Sequence, residues 1–500
     1  MHRTISSLVL FLSLLVTSVR AEVRLHALFT DNMVLQRGIP VPIWGWADDG
    51  EEVTVEYRGQ RMKAVAIDGK WMVRLNKFKE GDAGTLTVSG KNSIALKNVV
   101  VGEVWIASGQ SNMEWPLKAA YTPEMEIGAA NHPMLRLYTV TKLRTTSPTN
   151  NCVGNWDLCT PASSSNFSAV GYYFGRELQK ALGVPVGIIH TSWGGSPAEV
   201  WMSDEVLSSN PEYKRDILEP YPALSAKNKQ DIAAWEKEAA EAKKEGKPFE
   251  KWKPWQTWRP TELYNGMIAP IIPYAIKGAI WYQGESNADR AEQYRRLFPD
   301  MIRNWRRDWN QGDFPFIEVQ LAPFKDIQTQ PAESSWAELR EAQVYTTKTL
   351  PNVGVAVITD VGEEKDIHPR KKEPVGYRLA LAARAIAYKQ RVEFSGPQYK
   401  SMRVNGDKAI VSFDHIGSGL VARDGELKGF AIAGEDRKFV WANAHIYGDT
   451  VVVTSPAISK PVAVRYGWAD FPVVNLWNKD GLPAVPFRTD NFPMLTAGKK

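Results

Sequence analysis

Ser111 is the residue whose setting most suggests chemistry. It follows the stretch VVVGEVWIASGQSNM (99–113). Val99, Val100 and Val101, then Val104, Trp105 and Ile106, form a β-branched and aromatic run of the length of a buried parallel strand. The run stops at Ala107-Ser108-Gly109, and Gln110-Ser111-Asn112 follow where the strand ends. In open α/β sheets chemistry gathers at the carboxyl ends of strands, and a serine on a tight turn there can expose its hydroxyl as a nucleophile. The alternative is a Ser/Asn turn that merely caps the next helix. A nucleophilic serine needs a base, and the chain has seven histidines. His2 lies in a leader-like segment, and His26, His132, His415 and His445 lie in β or loop contexts. His190 lies in a strand-like apolar run, where a satisfied core histidine is the ordinary state. His368, in Asp366-Ile367-His368-Pro369, lies in a loop just before a helical pattern. A carboxylate stands two residues before it, and residues two apart in an extended segment face the same side. Asp360, at the end of NVGVAVITD, is a second acid within reach of a sheet edge.

Four stretches recur in a telling order: GEVWIASGQSNMEWPL, TSWGGSPAEVWM (191–202), GAIWYQGESNADR (278–290) and DIHPRKKEPVGYRLALAA (366–383). Together they resemble the serine, glycine, amide and histidine blocks of the sialate O-acetylesterase family of the SGNH hydrolases, and the resemblance runs from about Leu28 to about Asp490. It implies Ser111 as nucleophile and His368 as base. The superfamily usually places its aspartate three residues before the histidine. That position here is Lys365, which cannot accept a hydrogen bond from imidazole, so Asp366 is assigned as the orienting acid and Asp360 is its rival. The oxyanion donors implied are the N–H of Ser111, the N–H of Gly195 beside Gly194, and a side-chain amide. The usual block has glycine followed closely by asparagine, whereas this chain has Gln283-Gly284-Glu285-Ser286-Asn287. Gln283 is assigned and Asn287 is the reserve. Gln110, Asn112 and Asn287 are expected to bind substrate, and Glu285 to act as a hydrogen-bond partner. The activity implied is a secreted O-acetylesterase acting on O-acetylated sialic acids. Neighbouring families that deacetylate xylan or xyloglucan share the blocks. A glycan-binding protein on a dead hydrolase scaffold is the remaining alternative, and the intact blocks argue against it.

The elements that must carry these residues follow from patterning. Residues 22–98 read as short alternating strands separated by turns such as Asp48-Asp49-Gly50, a small antiparallel sandwich. From Val99 strands alternate with helices. SAVGYYFGRELQKAL (168–182) has helical spacing and stops at Gly183-Val184-Pro185. DRAEQYRRLFPDMIRNWRRDW (289–309) and GYRLALAARAIAYKQ (376–390) are further helices. VGIIHTSW, IKGAIWYQG, FPFIEVQLAPF and NVGVAVITD are further strands. The fold class expected is α/β, an SGNH-type doubly wound parallel sheet over 99–390, flanked by antiparallel β regions at 22–98 and 391–500. A charged, tryptophan-rich excursion, 204–262, ends in WKPWQTWRP and is expected near the rim of the site.

Length and composition bound the rest. Five hundred residues suggest two to four domains. A net charge of +5, with no basic stripe or zinc pattern, gives no case for nucleic acid. Nineteen tryptophans are many, and exposed indoles would offer platforms for sugar rings. The N-terminus reads as a secretion signal cleaved after Ala21, which implies a secreted or periplasmic protein with no membrane span. Cys152 and Cys159, the only two cysteines, are expected to form a disulfide in an oxidising compartment. No metal or cofactor is implied by any residue cluster.

Overall fold

The computed structural model describes residues 22–500, and the leader expected at 1–21 lies outside the described residues. The elements that matter for the site are, in chain order, β1 (Ser93–Gly109), α1 (Ser111–Glu114), β2 (His132–Thr139), β3 (Trp156–Cys159), α2 (Ala169–Leu182), β4 (Val186–Ser192), α3 (Tyr221–Lys244), β5 (Gly278–Tyr282), α4 (Ala291–Trp309), β6 (Phe316–Val319), α5 (Ser335–Thr349), β7 (Val353–Ala356) and α6 (Glu373–Tyr388). The strands lie in the order β3-β2-β4-β1-β5-β6-β7. All neighbours on this path are parallel except β3, which pairs antiparallel with β2.

Side chains alternate across β1 as strand geometry requires. Val104 and Ile106 join a core with Phe298, Met301 and Trp305 of α4. Trp105 and Ala107 join a second core with Phe174 of α2 and Leu379 of α6. Helices therefore cover both faces, and this is why the strands read as continuous apolar runs. Local signals fix the helix ends. Ser168 caps α2 by accepting the Gly171 N–H at 3.0 Å, and Gly183 ends it in the left-handed region.

β1 is longer than its sequence pattern suggests. Its 17 residues run unbroken from Ser93, pairing first with the antiparallel strand Gly81–Ser89 and then with β4 and β5. One strand thus ties the N-terminal β region to the parallel sheet. Val41–Trp46 and Lys70–Leu75 lie in a separate three-stranded sheet of that region. Beyond α6, antiparallel strands from Gln398 to Arg488 enclose a third core around Phe430, Val453 and Tyr466.

The cysteine expectation is corrected. Both thiols are free and buried. Cys152 hydrogen-bonds the Tyr138 hydroxyl at 3.3 Å, while Cys159 pairs opposite His132 at the far end of β2. β3 advances three residues, roughly 10 Å, from Trp156 opposite Tyr138 to Cys159 opposite His132, longer than the Cα spacing a disulfide spans. The extended run of β3 carries the second thiol away from the first.

Candidate active site

The carboxyl ends of the three central strands are level. Ser192 and Tyr282 both register with Gly109, and the turns that follow are tied together: Gln110 N–H donates to Tyr282 O at 3.0 Å, and Trp193 N–H to Gly109 O at 3.1 Å. Gly109 has φ +138°, and a Cβ there would lie 2.2 Å from Tyr282 O, so only glycine allows this close approach. Ser111 then opens α1. The cap position belongs to Gln110, and no side chain caps the helix. The Ser111 hydroxyl is left for other work, and its Oγ lies 2.8 Å from His368 Nε2.

His368 is held by Trp115 and Asp366. Trp115 stacks on its ring, centroids 5.0 Å apart and planes 15° from parallel. Asp366 accepts the His368 backbone N–H at 2.8 Å, and its Oδ1 lies 3.6 Å from His368 Nδ1. That separation is contact without a hydrogen bond, and catalytic hydrogen bonds are often long in an unliganded site. The rival Asp360 is instead held by both arms of Arg378, at 2.6 and 2.8 Å. Burial lowers the His368 pKa from its usual value, the Lys372 charge adds to this, and Asp366 and Glu114 oppose it.

Beside Ser111 lies the turn after β4. The Gly194 N–H donates to Glu114 Oε2 at 2.7 Å, and a Cβ on Gly194 would sit 3.2 Å from Ser111 Cβ. Gly195 is exposed with φ +74°. The Ser111 N–H lies in the first turn of α1, where backbone donors have no intrahelical partner.

Residues 242–385 match the family model described as carbohydrate esterase, sialic acid-specific acetylesterase. The human sialate O-acetylesterase is 28% identical over 516 residues, covering 93% of this chain and 92% of that one. A carbohydrate acetylesterase from Xanthomonas citri superposes with a TM-score of 0.82 at 40% identity, covering 94% of this chain and all of that one. The chain belongs to the sialate O-acetylesterase family. It is a carboxylic ester hydrolase of the carbohydrate esterase kind, and the matched segment includes both β5 and the His368 loop.

In this family member the amides of the first and third blocks are buried beneath the strand ends and hydrogen-bonded to the turns around Ser111. Gln110 is 3%, Asn112 0%, Gln283 0% and Asn287 1% exposed. Gln110 Oε1 accepts the Gly284 and Ser286 N–H groups at 3.4 and 3.3 Å. Gln283 Nε2 donates to Asn287 Oδ1 at 2.7 Å and to Ser196 O at 3.3 Å. The orientation is forced, because Asn287 Oδ1 also accepts the Ala198 N–H at 2.9 Å. Both Gln283 amide hydrogens are therefore engaged by Asn287 Oδ1 and Ser196 O, which braces the glycine turn. Asn287 Nδ2 is likewise spent on Glu199.

Asn112 is the hub of a buried network. Its Nδ2 donates to Glu285 Oε1 at 2.7 Å and to Ile367 O at 2.9 Å, and its Oδ1 accepts from Lys372 Nζ. The carbonyl just before His368 is thus fastened to the residue just after Ser111. Burial pulls the Lys372 pKa down to about 7 and pushes the Glu285 carboxyl up. Sequence reasoning missed Lys372, Glu114 and Trp115. The signal available was their position within the matched blocks, in GQSNMEW and HPRKK. His190, with its pKa near 4 from burial and its Nε2 on Ser192 Oγ, is a core histidine.

Proposed function

We propose that the protein is a secreted glycan O-acetylesterase that works by a serine nucleophile. The observation that carries this is the 2.8 Å contact between Ser111 Oγ and His368 Nε2 at aligned strand ends. Ser111 Oγ attacks the acetyl carbonyl carbon while His368 takes the hydroxyl proton. The N–H groups of Ser111 and Gly195 receive the developing oxyanion, and Gln283 serves by holding the glycine turn. The tetrahedral intermediate collapses as the bond to the sugar oxygen breaks, and His368 returns the proton to that oxygen. Water then attacks the acetyl-serine, His368 takes its proton, and acetate leaves as Ser111 regains a hydrogen. Asp366 steadies the imidazolium in each half-reaction. With its pKa held below the usual value by burial, His368 is a free base at neutral pH. Export rests on the leader pattern of residues 1–21.

The relatives' names point to O-acetylated sialic acid as the substrate. A second reading, acetylated plant polysaccharide such as xylan or xyloglucan, has its own support. Lys142 and Arg144, the cations over the mouth tryptophans Trp193 and Trp258, are already paired with Glu114 and Glu262, so neither is spare for a sialate carboxylate. The test is acetate release from sialylated mucin, acetylated xylan and acetylated xyloglucan by the wild type. Release from at least one of them supports the proposal. Turnover of 4-nitrophenyl acetate alone would end the glycan assignment.

A further inference from the structure

The excursion between β4 and β5 carries a feature that the ester chemistry leaves unused. α3 is 24 residues long and buries none of them, so it extends about 36 Å without support from the core. Its stability comes from the segment that returns along it. Trp235 Nε1 donates to Lys251 O at 2.7 Å, and its ring meets Phe249 at 5.4 Å. Lys251 pairs with Glu238 and Lys253 with Glu236, both at 2.6 Å. Asn228 donates to Trp255 O at 2.9 Å and accepts the Thr257 N–H at 2.8 Å. Residues 249–257 are thereby pinned as a ribbon antiparallel to the helix.

On that ribbon Trp252 is 95% and Trp255 85% exposed. Elsewhere in the protein Trp105, Trp156, Trp201, Trp281, Trp305 and Trp309 are essentially fully buried. Holding two indoles in water on an ordered segment is the mark of a binding surface. Trp252, Trp255 and Trp258 are spaced by three, and the ribbon contains Pro254 and is followed by Pro260. In an extended, polyproline-like chain residues three apart return to one side about 9 Å apart, a spacing that suits alternate rings of a linked sugar chain. The row leads into the catalytic mouth. Trp258 Nε1 lies 3.9 Å from where a Cβ on Gly195 would stand, and the Trp258 ring meets that of Trp193 edge-on at 5.5 Å. Gly194, next in the turn, abuts Ser111.

We infer that Trp252, Trp255 and Trp258 form a track that binds an extended, electrically neutral polysaccharide and feeds an acetylated residue of it to Ser111. This rests on the glycan-esterase reading above and narrows its substrate to a polymer. Indole faces suit the C–H faces of pyranose rings. The lysines of the ribbon are neutralised by Glu236 and Glu238, so the track offers little net charge to an anionic partner. From Trp252 to Trp258 the chain advances about 19 Å at polyproline rise, enough for several linked sugars.

The test uses the full chain and the double variant Trp252→Ala/Trp255→Ala on acetylated xyloglucan, acetylated xylan, an acetylated monosaccharide and 4-nitrophenyl acetate. The wild type should prefer the polymers to the monosaccharide. The variant should show KM for the polymers raised about tenfold with kcat retained, and the loss should be confined to the polymers. An unchanged polymer KM overturns the track, as does an equal loss on every substrate. A variant that merely changes oligomeric state in solution overturns it too, by showing the indoles to be a contact between copies. Wild-type failure on every acetylated sugar with 4-nitrophenyl acetate still turned over would sink the glycan reading itself. That result is distinct from a wild type that cleaves polymers no better than the variant.

Discussion

Asp366→Asn is the substitution whose outcome the geometry constrains most closely. Asparagine keeps the side-chain oxygen that accepts the His368 backbone N–H, so the loop should keep its shape and only the charge is lost. Two unit charges 3.6 Å apart interact by about 1 kcal/mol at the dielectric of water and about 5 kcal/mol at an effective value of 20. The Asp366 side chain is 46% exposed, so screening places the interaction between the two figures and nearer the lower, at about 1.4–2.7 kcal/mol. A loss in kcat of roughly 10- to 100-fold follows, well short of the 10⁴ seen when a buried triad aspartate is neutralised. The pH profile should move as well. Asp366 raises the His368 pKa, so its removal lets the imidazolium lose its proton more easily. The acid limb of kcat/KM then shifts to lower pH. The assay is 4-nitrophenyl acetate hydrolysis across pH 5–9, with circular dichroism to confirm folding. Asp360→Asn should leave kcat near wild type and lower thermal stability, because Asp360 is engaged by Arg378. A folded Asp360→Asn that is crippled beside a near-normal Asp366→Asn would refute this assignment.

Three further outcomes follow from buried groups. Glu318 is fully buried with neither carboxylate oxygen hydrogen-bonded among the described residues, and burial pushes its pKa well above 4.5. The folded state holds a proton that the unfolded chain releases, so stability falls as pH rises above the ordinary carboxylate range. Glu318→Gln should therefore gain stability over wild type by about 1.4 kcal/mol per pH unit within that window. Parallel melting curves at pH 5 and pH 8 would contradict it. Lys372→Met removes a positive charge that lowers the His368 pKa and loosens the Asn112 hub. The acid limb of kcat/KM should move to higher pH while kcat falls, and an unmoved limb would show Lys372 to be structural only. Cys152 and Cys159 should both react with a thiol reagent after unfolding without reductant, and failure of both to react would restore the disulfide.

Much of the site was legible because its parts sit where strand patterns end. The runs closing at Gly109, Ser192 and Tyr282 are apolar and β-branched or aromatic, so the places where chemistry could gather could be read directly. The pairing of Ser111 with His368 was legible only through the four blocks, since 257 residues separate them. The roles of the amides were not legible for a physical reason. Polar side chains at strand ends serve equally well as substrate contacts or as buried braces, and burial decides between the two. Gln283 donates to Asn287 and Asn287 to Glu199, an arrangement that depends on a turn whose shape no local pattern specifies. The cysteines failed similarly: a six-residue gap closes a loop easily, but β3 extends through half of it. α5 escaped notice because its amphipathic signal is weak, with buried Gln343 and Arg340 among its core-facing residues. The length of β1 was hidden by its crossing from a half-exposed to a fully buried setting at Val99.

In the proposed mechanism Ser111 carries the acetyl group during turnover. The most direct measurement of this is mass analysis of the enzyme quenched in acid during turnover of 4-nitrophenyl acetate, with peptide mapping of the acetylated residue. An acetyl group is expected on the peptide bearing Ser111 in the wild type, with no acetylation and no turnover in Ser111→Ala. An acetylated Ser111→Ala enzyme, or one that hydrolyses the ester at the wild-type rate, would contradict it.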